Sequence, residues 1–477
     1  MRLNSKQICE YTGGRVLVEP IDASKLACGI TWDSRTVELD DLYVALPGEK
    51  VDGHDFVAAA LRAGAAAALV QEAPDEATRL LASEMGAAVI EVSSTFAAVT
   101  DLARAWRGYL RGHIVGLTGS TGKTTTKNLV RDVVAASFSV AATQGNQNNE
   151  LGVPKTLLSA DPETEVVVVE MGMRGLGQIA ELCEFVKPDM GLITNIGESH
   201  IELLGSRENI ARAKAELIEA LPSGTGCAFL NASDEFTPFV LECAEAQARS
   251  LGVWRYDGSA AEADETADAY ATDVRLDDEG RPRFTLHVAG EEAACELNLR
   301  GLHNVHNACA AASVGARLGM DAATIASALA AAQPEAGRQH VIRARAGFTI
   351  VDDAYNANPD SMRASLAMFS SLATSGKRVA VLGDMGELGD YAVACHEGVG
   401  RAAAASGLDY LVCIGELSAH IARAAREAGM DADTVFETDS IPGVLGELDN
   451  LLEPGDTVLV KASHFMGLER VVGGLVN

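Results

Sequence analysis

The chain contains 477 residues, of which 48% are hydrophobic and 22% charged, and its formal net charge at pH 7 is −29. This hydrophobic fraction is enough for several cores, so about two to four domains are expected and a wholly disordered chain is excluded. The strongly negative charge argues against electrostatic binding to nucleic acid or to a membrane surface. Nine scattered cysteines without a Cys-x-x-Cys pair predict reduced thiols, mostly in the core, rather than a zinc site.

The sequence lacks the signals of secretion and of membrane insertion. It opens with MRLNSKQICEY, which has no apolar core of a signal peptide. No stretch reaches the roughly 18–20 consecutive apolar residues of a membrane span. We therefore expect a cytoplasmic protein.

Residues 1–111 alternate short strand-like runs with helical stretches, which predicts an N-terminal α/β domain. The alanine-rich stretch 58–70 is interpreted as ordinary helix. The sequence pattern changes near residue 112, where a short apolar run, a Gly/Ser/Thr cluster and a helical stretch follow one another. This order predicts a strand, a loop and a helix.

Residues 112–335 contain apolar runs separated by helical stretches, at 113–118, 165–170, 190–195 and 227–231. Continuous apolar runs of this kind indicate a parallel sheet covered on both faces. Between residues 254 and 300 the pattern becomes alternating, with acidic turns, and predicts antiparallel hairpins at the edge of the domain.

The alternation of apolar runs and helices restarts after residue 335, with runs at 348–352, 378–383, 410–415 and 457–461. A second doubly wound sheet is predicted there. The expected architecture is therefore α/β with three domains, at residues 1–111, 112–335 and 336–477.

The segment GLTGSTGKTTT at residues 116–126 lies between the predicted strand and helix, as a phosphate-binding loop requires. Its first glycine is Gly116 rather than residue 117, which departs from the strict Walker spacing. The loop can cradle phosphates with backbone N–H groups and a helix N-terminus. Because Asn-Lys-x-Asp is absent, ATP is favoured over GTP. The predicted nucleotide-binding residues here are Gly119, Ser120, Thr121, Gly122, Lys123, Thr124 and Thr125.

Three further residues are candidates for the chemistry. Glu170 ends a buried strand, where a carboxylate suits Mg²⁺, although it could be an ordinary strand-end residue. His200 also follows a strand and could equally be structural. Lys214 lies on the apolar stripe of a helix, where a charge is unfavourable unless it is paired or modified. The alternative is that Lys214 extends its ammonium to solvent.

Taken together, the phosphate loop, Glu170, the segment 195–206, Lys214 and GLHNVHN at 301–307 resemble the Mur ligases, the ATP-dependent amide ligases of peptidoglycan precursor synthesis. The resemblance covers essentially the whole chain. It implies an N-terminal domain for the UDP end of the substrate, a central ATPase domain and a C-terminal Rossmann-like domain for the incoming amine.

Within that family, DDAYNANPDSM at 352–362, GDMGELG at 383–389 and the segment 143–154 are similar to the ligase that adds D-Ala-D-Ala to a UDP-N-acetylmuramoyl-tripeptide. The ligase that adds the third residue usually carries Asp-Asn-Pro-Arg, which this chain lacks. A folylpolyglutamate-type synthetase remains a further alternative, as does a regulator that uses ATP as a switch. Whether the third peptide residue is lysine or diaminopimelate stays open.

The resemblance also implies roles for individual residues. ATP and Mg²⁺ are the expected cofactors, and the two peptide substrates are the expected partners of a monomeric enzyme. The implied catalytic residues are Lys123, Lys214, His200 and Glu170. The implied metal ligands are Thr124, Glu170, His200 and Lys214, the last as a carbamate. Further nucleotide contacts are implied for Asn304, Asn307, Arg338, Asp352, Tyr355 and Asn356. Contacts with the UDP-linked substrate are expected at Ser34, Arg35, Asn148 and Asn149.

Overall fold

The computed structural model describes residues 1–48, 50–260 and 263–476. The chain forms two compact units. The first unit contains residues 1–117, 138–172 and 179–191. The second unit contains residues 118–137, 173–178 and 192–477. Within the described part of the chain, no helix combines the length and apolar character that crossing a membrane requires. All nine cysteines are free thiols, as predicted.

The N-terminal part of the first unit is a five-stranded sheet with flanking helices. Its elements are β1 (Leu3–Asn4), α1 (Ser5–Thr12), β2 (Arg15–Val18), β3 (Leu26–Ala27), β4 (Gly29–Thr31), β5 (Asp41–Val44), α2 (Val57–Ala63), β6 (Ala67–Val70), α3 (Glu76–Met85), β7 (Ala88–Glu91) and α4 (Thr95–Arg107). The strand order is β2-β7-β6-β5-β4, parallel except for β2. Tyr43, Leu61 and Val89 contribute to the core beside this sheet.

The alanine-rich stretch is not one helix, so its interpretation as plain helix is wrong. Helix α2 ends at Ala63, because Gly64 adopts a left-handed conformation with φ of 111° and caps it. Residues Ala67–Val70 then form β6, which lies between β5 and β7 and is fully buried. Burial in the centre of a sheet therefore overrides the helix propensity of alanine.

The rest of the first unit follows the predicted parallel pattern. Its elements are β8 (His113–Thr118), β9 (Val140–Ala142), α6 (Gly152–Ser159), β10 (Val166–Glu170), α7 (Gln178–Val186) and β11 (Met190–Ile193), of which β8, α7 and β11 extend into the second unit. Strand β10 pairs in parallel with both β8 and β9. Its four valines are fully buried, as expected of a strand covered on both faces.

The second unit begins with the helix that follows the phosphate loop. Its elements up to residue 331 are α5 (Lys123–Ala135), α8 (Ile201–Leu204), α9 (Arg207–Glu219), β12 (Cys227–Asn231), α10 (Thr237–Cys243), β13 (Gly252–Asp257), β14 (Ala269–Leu276), β15 (Pro282–Val288), β16 (Glu291–Glu296), α11 (His303–Arg317) and α12 (Ala322–Ala331). Strands β12, β13 and β14 are parallel, whereas β14, β15 and β16 are antiparallel. The predicted antiparallel edge is confirmed.

The C-terminal part of the second unit is a six-stranded sheet. Its elements are β17 (His340–Arg343), β18 (Thr349–Asp352), α13 (Pro359–Ser371), β19 (Arg378–Gly383), α14 (Ala392–Ala405), β20 (Tyr410–Ile414), α15 (Ser418–Glu427), β21 (Val435–Thr438), α16 (Ile441–Leu451), β22 (Thr457–Lys461) and α17 (Glu469–Val476). The order is β17-β18-β22-β19-β20-β21, and only β17 is antiparallel. The predicted doubly wound sheet is therefore present.

Candidate active site

The phosphate loop connects the end of β8 to the start of α5. Gly122 has φ of 74°, in the left-handed region, and precedes the first helical residue, Lys123. A Cβ atom at Gly119 would lie 1.8 Å from Oγ1 of Thr194, so only glycine fits there. The ammonium of Lys123 donates to the carbonyl of Gly119 at 2.7 Å. The ammonium of Lys123 therefore lies over the backbone of its own loop.

The residues after β11 hold the loop from behind. Asn195 accepts from the N–H of Thr121 at 2.9 Å through its side-chain oxygen, and from the N–H of Ser120 at 3.0 Å through its carbonyl. Thr194 donates its hydroxyl to the carbonyl of Thr121 at 2.6 Å. Two loop N–H groups are thus used for support rather than for phosphate. Sequence reasoning assigned no role to Thr194 or Asn195, although both follow a strand at the expected sheet edge.

Asn304 and Asn307, predicted to contact the nucleotide, lie against the phosphate loop. Asn307 accepts from the hydroxyl of Thr126 at 3.0 Å and donates to Asn304 at 2.8 Å. The amide of Asn304 donates in turn to the carbonyl of Arg300 at 2.6 Å. A Cβ atom at Gly122 would lie 2.8 Å from the side-chain oxygen of Asn307. In this arrangement both amides support the start of α5.

Arg338, predicted to contact the nucleotide, reaches the first turn of the helix that follows the phosphate loop. Its guanidinium donates to Oγ1 of Thr124 at 3.0 Å and lies 4.3 Å from the ring centroid of Tyr355. Asp352 accepts from the N–H of Gly337 at 3.2 Å and so fixes the turn that carries Arg338. Burial raises the pKa of the Asp352 carboxyl. Arg338 therefore contacts Thr124, Tyr355 contacts Arg338, and Asp352 contacts the residue before Arg338.

Asn356 is held by a buried ion pair that the sequence did not predict. Lys461, at the end of β22, lies 2.8 Å from the carboxylate of Asp353 and donates to the carbonyl of Asn356 at 2.9 Å. Ser365 on α13 also donates to Asp353. The ion pair is nearly excluded from solvent, so it fixes the loop that contains Tyr355 and Asn356.

Lys214 is buried on α9, with 1% of its surface exposed, and its neighbours Ile210 and Leu217 are fully buried. The desolvation of the ammonium lowers the pKa of Lys214 well below its ordinary value, and the positive charge of Lys123 lowers it further. The interpretation of Lys214 as a lysine that extends to solvent is therefore excluded. Its amine is held in the neutral, nucleophilic form over a wider pH range than that of a surface lysine.

His200 faces a carboxylate from the C-terminal part of the same unit. Its Nδ1 lies 2.5 Å from Oε2 of Glu387, and the other carboxylate oxygen of Glu387, Oε1, lies 3.6 Å from Nε of Arg174. This contact with His200 lowers the pKa of the Glu387 carboxyl. Within residues 1–48, 50–260 and 263–476, no three His, Cys, Asp or Glu side chains converge in a group that could hold a metal ion.

Glu170 and the predicted substrate residues Asn148 and Asn149 lie in the first unit. Glu170 is buried at the end of β10 and accepts from the amide of Asn148 at 2.8 Å. Its backbone N–H donates to the hydroxyl of Thr143 at 3.0 Å. Asn149 instead accepts from the N–H of Gly152 at 3.0 Å and so supports the start of α6. Glu170 and Asn148 are therefore brought together, whereas Asn149 has a structural contact.

Ser34 and Arg35, predicted to contact the UDP end, follow β4 in the first unit. Arg35 is exposed and forms a two-point contact with Asp33, at 2.8 and 2.7 Å. These hydrogen bonds lower the pKa of the Asp33 carboxyl to about 2. The ammonium of Lys155 on α6 lies 4.8 Å from the ring centroid of Trp32, so the segment before Asp33 packs on that helix.

Sequence profiles of three families match the chain. They are "Mur ligase family, catalytic domain" at residues 28–107, "Mur ligase middle domain" at residues 117–315 and "Mur ligase, glutamate ligase domain" at residues 337–464. A relative from Mycobacterium tuberculosis, named UDP-N-acetylmuramoyl-tripeptide--D-alanyl-D-alanine ligase, is 38% identical over 518 aligned positions. The alignment covers 100% of this chain and 98% of the relative.

The chain is also similar to solved structures of MurF enzymes. MurF from Acinetobacter baumannii superposes with a TM-score of 0.83 at 31% identity, covering 100% of this chain and 99% of that chain. MurF ligase from Thermotoga maritima, solved in complex with ADP, superposes with a TM-score of 0.75 at 28% identity, covering 94% of this chain and 97% of that chain.

The parallel sheet, phosphate loop and following helix define an α/β protein of the nucleotide-binding class. The similarity along the full length of the chain then identifies its family. The chain belongs to the Mur ligase family, and the resemblance inferred from sequence is confirmed.

Proposed function

We propose that this chain is an ATP-dependent, ADP-forming ligase that joins D-Ala-D-Ala to UDP-N-acetylmuramoyl-tripeptide in peptidoglycan synthesis. The observation that carries the proposal is the match, along the whole chain, to a relative named for that reaction. The three domains are proposed at residues 1–111, 112–335 and 336–477, and the family matches fall inside those bounds. A monomer in the cytoplasm, where ATP is present, completes the proposal.

The chemistry explains why a phosphate loop belongs in an amide ligase. A carboxylate does not react with an amine at neutral pH, because an oxide would have to leave. ATP converts the tripeptide carboxylate into an acyl phosphate, and the amine of D-Ala-D-Ala then displaces phosphate. The loop and Lys123 hold and neutralise the terminal phosphates, and Arg338 adds a second positive charge beside Thr124.

The donor set for Mg²⁺ fits in part. Thr124 and Glu170, proposed for the first ion, are buried and offer the oxygen atoms that Mg²⁺ prefers. The second set, Glu170, His200 and Lys214, contains an amine that binds a cation poorly. That set therefore fits only when Lys214 carries a carbamate. Bound at these residues, Mg²⁺ would neutralise charge on the transferred phosphoryl group.

The state of Lys214 supports carbamylation. Its lowered pKa favours the neutral amine, which is the form that attacks carbon dioxide. A bond forms between Nζ and the carbon, and one proton leaves to solvent. The product is a carbamate anion with two oxygen atoms. The buried group is then a potential ligand of a cation rather than an ammonium, whose burial is unfavourable.

The remaining assignments follow the sequence. Ser34 and Arg35 are proposed to hold the UDP end, and Arg35 offers an exposed guanidinium for a diphosphate. Asn148 and Asn149 are proposed for the peptide part of the same substrate. Tyr355, beside Arg338, is proposed for the nucleotide together with Asp352, Asn356, Asn304 and Asn307.

The test is ADP release by the full chain with ATP, Mg²⁺ and UDP-N-acetylmuramoyl-tripeptide, with the amine varied. D-Ala-D-Ala is expected to give ADP, phosphate and UDP-pentapeptide in equal amounts, with meso-diaminopimelate, L-Lys and L-Glu inactive. A parallel assay replaces the tripeptide substrate with UDP-N-acetylmuramoyl-dipeptide. If ADP and UDP-tripeptide form there with diaminopimelate or lysine, the chain is instead the ligase that adds the third residue. Glutamylation of a folate would favour the folylpolyglutamate-type synthetase. ATP binding without any ligation would favour the regulatory switch.

A further inference from the structure

A chain of two hydrogen bonds connects the start of α13 to the phosphate loop. Ser199, 8% exposed, donates its hydroxyl to the carbonyl of Ser120 at 3.1 Å. The same hydroxyl accepts from the side-chain amide of Asn358 at 2.7 Å. A hydroxyl has one proton and two lone pairs, so it can serve both neighbours at once. Ser199 therefore links Asn358 to Ser120.

Both ends of this link are fixed by other contacts. The oxygen of the Asn358 amide accepts from the N–H of Ser361 at 2.8 Å and caps α13, so the nitrogen must point to Ser199. At the other end, the hydroxyl of Ser120 accepts from the N–H of Gly197 at 2.8 Å. The carbonyl of Ser120 is also 3.5 Å from the ammonium of Lys123. Neither end can rotate away without breaking a second hydrogen bond.

The loop before Ser199 fits closely against the first turn of α13. A Cβ atom at Gly197 would lie 2.2 Å from a carboxylate oxygen of Asp360, so a side chain there would force that carboxylate to move. The N–H of Glu198 points to the same oxygen at 3.4 Å. These contacts join the loop to the first turn of α13 in addition to the hydrogen bond of Ser199.

We propose that Ser199 is a positioning residue that couples the cap of α13 to the phosphate loop, so that nucleotide affinity depends on Asn358 through Ser199. The inference rests on the proposed function only in taking an adenine nucleotide as the ligand of the loop. Because such coupling is reciprocal, a nucleotide on the loop also stabilises the start of α13.

The test measures ADP affinity by calorimetry in the full chain, comparing wild type with Ser199→Ala, Asn358→Ser and the double variant. Serine caps helices as well as asparagine does, so Asn358→Ser keeps the cap and removes only the amide that reaches Ser199. Each single substitution is expected to weaken ADP binding about fivefold, the value of one buried hydrogen bond. The double variant is expected to bind no more weakly than the weaker single variant, because both break one link.

Two controls and two further readouts make the test specific. Asn4→Ser makes the same substitution at the capping box of α1, and Ser313→Ala removes a buried helical hydroxyl that donates only to the carbonyl of Ala310. Both should bind ADP like wild type. Ser199→Thr, which keeps the hydroxyl, should restore affinity. Hydrogen exchange at the first turn of α13 should slow on ADP addition in wild type and not in Ser199→Ala.

Unchanged ADP affinity in Ser199→Ala and Asn358→Ser would overturn the coupling, as would losses that add fully in the double variant. Melting temperatures within about 2 °C of wild type establish that the variants are folded. These measurements need no ligase turnover. If wild type binds ADP but does not consume D-Ala-D-Ala, the proposed function fails while the coupling is still decided by the binding data.

Discussion

Lys214→Ala is expected to lower the rate of ligation strongly while preserving the fold. Burial, with the nearby charge of Lys123, lowers the pKa of the Lys214 amine well below its ordinary value. The unfolded chain therefore binds more protons between the two pKa values. Within that interval the contribution of Lys214 to the free energy of unfolding rises with pH and falls as pH decreases. The variant lacks this contribution.

The expected magnitudes separate stability from activity. The substitution removes three buried methylenes, worth about 0.8 kcal/mol each, or about 2.4 kcal/mol. It also removes the desolvation of the amine, which acts in the opposite direction, so the net loss of stability should be below about 2 kcal/mol. Loss of a preorganised group beside the transferred phosphoryl should lower kcat by about 10²–10³.

The assay compares ADP release by wild type, Lys214→Ala and Lys123→Ala, with and without acetate. Acetate should restore part of the activity of Lys214→Ala, because a carboxylate can occupy the space of the missing carbamate. Lys123→Ala is the matched control, since the lost group there is a cation that acetate cannot replace. Removing carbon dioxide should inactivate wild type, and bicarbonate should reactivate it.

Three results would refute the reasoning about Lys214. The first is turnover of Lys214→Ala within about tenfold of wild type, or about 1.4 kcal/mol of barrier. The second is equal recovery of Lys123→Ala by acetate. The third is a crystal structure of the active enzyme with an unmodified Lys214 ammonium.

Three further predictions concern the same unit. Lys123→Ala should lower ATP turnover more than about tenfold while calorimetry shows the affinity for the UDP-linked tripeptide within about twofold of wild type; retained turnover would contradict the phosphate loop assignment. Arg338→Lys keeps the charge but loses the fork that reaches Thr124 and the stacking on Tyr355, so the KM for ATP should rise about tenfold. An unchanged KM would place Arg338 outside the nucleotide site. Burial lowers the pKa of His303 to about 4, so the unfolded chain takes up a proton between pH 6.5 and 4 that the folded chain resists, and stability falls as pH decreases across that range. Denaturant titrations should show that the free energy of unfolding of His303→Gln depends less on pH in this range than that of wild type. The same pH dependence in both proteins would contradict the lowered pKa of His303.

The parallel sheets were predictable because their strands are buried on both faces. Such strands appear in the sequence as uninterrupted apolar runs, and β12, β19 and β22 begin and end at the predicted residues. The antiparallel edge was predictable for a different reason. Its strand β15 alternates buried and half-buried residues, which is the pattern of a sheet with one covered face.

The stretch that forms α2 and β6 shows where local pattern fails. Alanine fits a helix and a crowded central strand equally well in size, so the sequence of residues 58–70 does not separate the two. The decision is made by Gly64, which ends the helix, and by β5 and β7, which pair with β6 on either side. Neighbouring strands are not visible within a short window of sequence.

The candidate site likewise contains groups that the sequence predicted and groups that it did not. The phosphate loop was predictable because its strand, glycines and lysine are consecutive in the chain. The groups that hold it are distant: Asn195 lies 74 residues from Thr121, and Arg338 lies 214 residues from Thr124. Asn304 and Asn307 were predicted to contact the nucleotide, and that role stays a prediction. Their contacts with Arg300 and Thr126 depend on packing that no spacing rule contains.

His200 and Glu387 show how a distant partner refines a sequence-based role. The sequence suggests His200 as a metal ligand but does not say which ring nitrogen would bind. The structure places Oε2 of Glu387 2.5 Å from Nδ1 of His200. Histidine ligands commonly have such a carboxylate on their other nitrogen, which fixes the ring and raises its basicity. The contact with Glu387 involves Nδ1 and is therefore compatible with the proposed role of His200, which stays a prediction.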